Sequence, residues 1–99
     1  MCQIFATQDP DNYESETRSL RLNGMSTSIR LERVFWDVLN EIAENESLSV
    51  PQFISKLHSE VLEIHGEAQN FTSLLRCACL IHMERTGQIT SNMPARAEE

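Results

Sequence analysis

Apolar and polar positions change period near residue 33, and that change divides the chain. From Ser26 to Glu32 they alternate. Thr27, Ile29 and Leu31 fall on one side and Ser26, Ser28 and Arg30 on the other, as in a strand with one buried face. From Val34 the spacing lengthens to three and four. Val34, Phe35, Val38, Leu39, Ile42 and Ala43 then form the apolar stripe of a helix running from Arg33 to Glu44 or Asn45. Glu32 lies near its amino end, where negative charge is favourable. Trp36 is one residue off the stripe and is expected against a partner chain or the third helix.

A second alternating run, residues 18–25, precedes the first and is joined to it through Asn23-Gly24, the strongest two-residue hairpin signal. Folding on that turn places Leu22 opposite Met25 and Leu20 opposite Thr27, all on the buried side. The outer strand is expected as an edge or arm that flanks, or competes with, pairing between chains.

Two further helices follow. Ser49-Val50-Pro51-Gln52 has the form of a capping box with proline in the first turn. The helix it opens carries Val50, Phe53, Ile54, Leu57, Val61, Leu62 and Ile64 and ends near His65-Gly66. Asn70 is the expected cap of a third helix that Gly87 ends. With Cys77 and Leu80 added to its stripe, this helix keeps little polar face between residues 77 and 81. That pattern predicts burial against the body of the domain and a second subunit.

A polar arm (1–17) with a turn at Asp9-Pro10-Asp11-Asn12, a folded unit (18–86) and a flexible tail (87–99) complete the organisation. Cys2, Ile4 and Phe5 offer the arm a means of packing on the body.

One short strand cannot satisfy both of its edges, and helices in so small a chain bury little alone. Pairing the 26–32 strand with its copy in a second chain answers both problems. It leaves Ser26, Ser28 and Arg30 displayed on an exposed ribbon.

Composition sharpens this picture. With 99 residues, 40% of them apolar and few aromatics, the chain is one domain that gains core by dimerising. No run of about 18 apolar residues is present to span a membrane, and the first ten residues lack the form of a secretory signal. The three cysteines make no even-numbered disulfide framework, and a cytoplasmic location is expected.

The formal charge of -7 argues against nonspecific nucleic-acid binding, but its distribution is uneven. Residues 18–33 hold Arg18, Arg21, Arg30 and Arg33 against Glu32 alone, a small basic footprint that a dimer doubles.

No catalytic or cofactor site is expected. Cys77 and Cys79 point about 200° apart on a helix, so they do not chelate as a pair, and His82 with Cys79 suits a core better than a metal. No Ser-His-Asp set, glycine-rich phosphate loop or His-Glu-x-x-His motif occurs. Cys2 as an amino-terminal nucleophile lacks an oxyanion site and a large enough fold. The N–H groups around Ser49 and Val50 have a second use besides capping, since a helix amino terminus receives phosphate.

The residues Arg18, Ser19, Gly24, Thr27, Ser28, Ile29, Leu31, Glu32, Phe35 and Trp36 follow a pattern found in one branch of small bacterial domains. Leu48-Ser49-Val50 and Asn70-Phe71-Thr72-Ser73-Leu74-Leu75-Arg76 fit the same branch at the starts of its later helices. Over residues 18 to 84 the chain thus resembles the ribbon-helix-helix (Arc/MetJ-like) family of bacterial DNA-binding proteins. The fold this implies is mainly α with a short β ribbon: a ribbon-helix-helix dimer plus an additional C-terminal helix and an N-terminal β-hairpin.

The resemblance further implies a homodimeric regulator of transcription that binds double-stranded DNA through an intersubunit ribbon. Ser26, Ser28 and Arg30 would contact bases, and Ser49 and Val50 would clamp phosphate, with Arg18, Arg21 and Arg33 as further phosphate candidates. Ile29, Leu31, Phe35, Leu39, Ile54 and Leu57 would form the dimer core. A two-stranded ribbon fits the major groove, and arginine can donate to guanine through both arms of its guanidinium. The competing reading is a dimeric protein-interaction module of the same fold that binds no DNA, with the third helix as a surface for a further protein partner.

Overall fold

The computed structural model describes residues 2–87. A short helix, α1 (Cys2–Ala6), and a 3-10 turn (Pro10–Asn12) lead into a hairpin of β1 (Ser15–Leu22) and β2 (Met25–Glu32). Three helices follow: α2 (Arg33–Asn45), α3 (Val50–His65) and α4 (Phe71–Thr86). The hairpin is one layer and the helices the other.

The turn takes the form its residues favour. Asn23 and Gly24 both have positive φ, +53° and +87°, as the tightest hairpin connection requires. Leu22 pairs with Met25 and Leu20 with Thr27, as the alternation predicted. The pairing extends further than expected, however, reaching Ser15 opposite Glu32, so the strand begins inside the segment read as a polar arm. β2 is thus paired along its whole length within its own chain. The reason is entropic: a two-residue loop closes at little cost, so the local partner is always at hand. A ribbon made only of two β2 copies is not the sheet this chain builds.

Leu20, Leu22, Ile29 and Leu31 line the inner face of the hairpin and meet Trp36, Leu39, Ala43, Val50, Ile54, Leu75 and Cys79 from the helices. Ile29, Leu31, Leu39 and Ile54 are therefore buried within one chain, whereas Phe35 and Leu57 are only partly covered.

Trp36 is 1% exposed and sits in the core cluster with Leu75 and Cys79 of α4. Its indole Nε1–H donates to the Glu16 carbonyl at 2.8 Å, which fastens β1 to α2. At the other end of the hairpin, Asn23 Nδ2 lies 2.7 Å from His58 Nδ1, and the Ser59 hydroxyl donates to Asn23 Oδ1 at 2.8 Å. The turn is thereby tied to α3.

The Ser49–Gln52 capping box is formed in both directions, and Gly66 ends α3 in the left-handed region. Gly87 ends α4 in the same way. Asn70 occupies the cap position of α4 but is itself left-handed (φ +55°), and its side chain makes no capping bond. α4 is held instead by its sides. The Arg76 Nε–H donates to Glu32 at 3.1 Å, and His82 Nε2 lies 2.9 Å from Glu41. Leu75 and Cys79 are buried, and burial pushes the Cys79 thiol up to about 12.

Among the described residues nothing covers the remaining face of α4, where Cys77, Leu80 and Ile81 are exposed. Ile4 and Phe5 of α1 are 71% and 63% exposed, so they do not pack the arm on the body. The expected tail lies outside the described residues from position 88 onward.

Candidate nucleic-acid interface

Alternation within the hairpin decides which side chains share its outer face. Residues directly opposite one another on antiparallel strands point the same way. Arg21 thus stands beside Ser26, Ser19 beside Ser28, and Thr17 beside Arg30. All six are exposed, and none is a carboxylate. The two guanidiniums stand at opposite ends of this patch of hydroxyls.

Ser26, Ser28 and Arg30 thus lie where the alternation put them. Arg21 joins them from β1, and Arg33 is exposed at the start of α2. Arg18 does not, because it has the opposite parity. Its guanidinium lies 4.4 Å from the centre of the Trp36 ring, and its Nε–H donates to Glu16 at 2.6 Å. Glu16 also lies 3.9 Å from Arg33. The charge of Arg18 is therefore neutralised where it stands.

The same parity governs the backbone. With a two-residue turn, Leu22 and Met25 exchange hydrogen bonds, and every second pair along the ladder does likewise. The Arg33 N–H donating to the Glu14 carbonyl at 2.9 Å continues that series beyond the strands. Ser26, Ser28 and Arg30 fall on the intervening pairs, so their N–H and C=O groups point away from β1. Among the described residues β2 consequently has an open edge, and the residues with outward side chains are the ones whose backbone lines it. Met25, on the inner face at that edge, is 70% exposed.

Apart from Glu32, which continues the outward parity at the end of β2 opposite Ser15, the acidic groups lie elsewhere. Asp37 and Glu44 on α2, Glu46 just past its end, and Glu60 and Glu63 on α3 are exposed in the helical layer. Glu32, at the end of β2, is held below the usual carboxylate range by its own backbone N–H and then by Arg76. The molecule is therefore polar in charge: basic across the outer sheet, acidic across the helices.

At the amino end of α3, Ser49 N–H donates to the Gln52 side chain at 2.9 Å, and Gln52 N–H donates to the Ser49 hydroxyl at 3.2 Å. Pro51 has no N–H. Val50 N–H is the first-turn donor that the capping box leaves over, so Ser49 and Val50 do not offer the equal pair of donors the sequence suggested. The Val50 side chain is buried.

The ribbon-helix-helix domain model matches residues 15–83, from the first residue of β1 almost to the end of α4. The chain belongs to the ribbon-helix-helix domain family. Domains of this family are DNA-binding and regulatory, and they are not catalytic. The family thus gives the domain a general DNA-binding, regulatory role. The chain is also similar to the solved structure of an uncharacterized protein from Bordetella pertussis Tohama I. The two share 43% identity with a TM-score of 0.81, over 100% of this chain and 82% of that one. No curated protein matches the chain.

Sequence reasoning missed two residues here. Thr17 and Ser19 were outside its site, because the outer strand was read as beginning only at residue 18 and as an edge. The signal was present, since Ser15, Thr17, Ser19 and Arg21 continue the alternation through Leu20 and Leu22.

Proposed function

We propose that this ribbon-helix-helix domain is a homodimeric, sequence-specific DNA-binding regulator of transcription. Two copies join along the open edge of β2, and Ser26, Ser28 and Arg30 from each enter the major groove. The observation that supports this most is the coincidence on β2. The residues that present hydroxyls and a guanidinium outward also present unpaired backbone groups sideways. Joining two such edges satisfies both, brings four outward arginines together and covers Met25. Phe35 and Leu57, only partly buried in one chain, are then the core positions that a second copy completes. Arg30 can donate to guanine O6 and N7 at once, and the serines bond several base edges. Val50 N–H, at the positive end of α3, is the main-chain donor for a phosphate.

Binding of a duplex selected by the parent from a random-sequence pool, at 50 and 200 mM salt and with Arg30→Ala beside the parent, tests this reading. The parent should bind, weaken with salt, and lose at least about tenfold on substitution. Sedimentation should give a dimer. Absence of duplex binding by a folded dimer would favour the interaction-module alternative instead. For that reading the uncovered Leu80 and Ile81 of α4, each 48% exposed, are the natural partner surface.

A further inference from the structure

Width is what separates this sheet from a bare two-stranded ribbon. Neighbouring strands lie about 4.8 Å apart. If two β2 strands meet at a dyad, each stands about 2.4 Å from it and each β1 about 7 Å from it. The major groove is about 12 Å wide, so its phosphate walls begin about 6 Å from the groove axis. A sheet of four strands running along the groove thus has its inner pair over the base edges and its outer pair over the walls.

We infer that β1 is a phosphate rail, with Thr17, Ser19 and Arg21 of each chain holding the DNA backbone while β2 reads bases. This rests on the reading above and adds to it a strand with its own task. The side chains suit that task. Thr17 and Ser19 carry hydroxyl donors, Arg21 carries a forked cation, and all three are exposed on the face shared with Ser26, Ser28 and Arg30. The acids of β1 and its approach, Glu14 and Glu16, have the opposite parity. Glu16 is engaged with Arg18 and faces away from the rail. Among the described residues Arg21 makes one long internal contact, its Nη1 donating to the Gly24 carbonyl at 3.4 Å, which leaves its other donors for a phosphate. The Asn23–His58–Ser59 bonds fix the end of the hairpin to α3 and so fix where Arg21 stands.

A rail holds the duplex without regard to sequence, and that is how it is told from a reader. The test uses fluorescein-labelled 30-base-pair duplexes, a random pool for affinity and salt dependence, and selection from that pool for sequence preference. Four proteins are compared: the parent, Arg30→Ala, Arg21→Gln, and Thr17→Val with Ser19→Ala. Arg21→Gln should make the slope of log K against log salt shallower by about 1.8 per dimer, at about 0.9 per phosphate. The selected sequence should stay that of the parent. The hydroxyl double variant, which removes four hydroxyls per dimer, should bind at least about thirtyfold more weakly, with unchanged slope and unchanged preference. Arg30→Ala should shift the preference.

If the parent binds and Arg21→Gln keeps the parental affinity and slope, the rail is wrong and the base-reading role of β2 stands. If Arg21→Gln changes the selected sequence, β1 reads bases and the rail is likewise wrong. If the folded parent binds no duplex, the reading of the whole face fails, and the rail with it. Matching thermal melts of the four proteins keep loss of fold from passing as loss of contact.

Discussion

The attachment of β1 to the helical layer passes through Trp36, and its strength can be worked out from its contacts. Trp36→Phe keeps an aromatic ring beneath Arg18 but deletes the donor to Glu16 at 2.8 Å. Loss of that hydrogen bond costs about 1 kcal/mol. The smaller ring gives up two buried carbons at roughly 0.8 kcal/mol each. The stacking of Arg18 adds at most a few tenths, because its side chain is 41% exposed and solvent screens it. The expected loss is thus about 2.5 kcal/mol, or about 10–20 °C in the melting midpoint. Urea and thermal melts followed by far-UV circular dichroism at one fixed protein concentration measure it. Fixing the concentration matters because association shifts the midpoint. Amide exchange should quicken most in β1. A loss below about 1 kcal/mol, less than the hydrogen bond alone is worth, would refute the placement of the indole beneath the strand.

Other outcomes follow from single residues. Gly24→Ala meets no neighbouring atom but must hold φ near +87°, so a cost of about 1–2 kcal/mol is expected in urea melts, with the helices retained. Ile54→Ala empties a fully buried site and should cost about 3 kcal/mol, whereas Ile64→Ala, on an exposed position of the same helix, should cost little. Glu32 has a lowered folded pKa, so its contribution is present above the unfolded value near 4.5 and is lost as pH falls through the folded one. Glu32→Gln should therefore narrow the gap between urea midpoints at pH 7 and in acid, and an unchanged gap would refute the stabilisation of this carboxylate by its own N–H and by Arg76. In a Cys2→Ser background, a thiol reagent at pH 8 should modify Cys77 at once and Cys79 only on unfolding, since Cys79 is buried and titrates near 12.

The elements of this protein are local facts. Asn23-Gly24 permits one kind of turn, Ser49-Val50-Pro51-Gln52 one kind of helix start, and Gly66 and Gly87 one kind of stop. Each acts over a few residues, so the residues carried the hairpin register and the starts and ends of the long helices, with Asn70 the exception. There the backbone took up a left-handed conformation that sent the side chain away from the helix it was expected to cap. The outward positions of Ser26, Ser28 and Arg30 were also legible, because strand alternation is strictly two. Placement of Trp36, pairing of Arg18 with Glu16, and the length of β1 were not. They depend on what lies across the layer, and no spacing along the chain encodes that.

From residue order alone, then, come a hairpin, three helices and a hydroxyl-and-guanidinium face. Tertiary packing decided where Trp36 and Arg18 come to rest, how the hairpin is fastened to the helices, and how far β1 runs beside β2. The physical reason is reach: turns, caps and alternation are set by neighbours in sequence, while an edge or a face is set by whichever distant segment arrives against it.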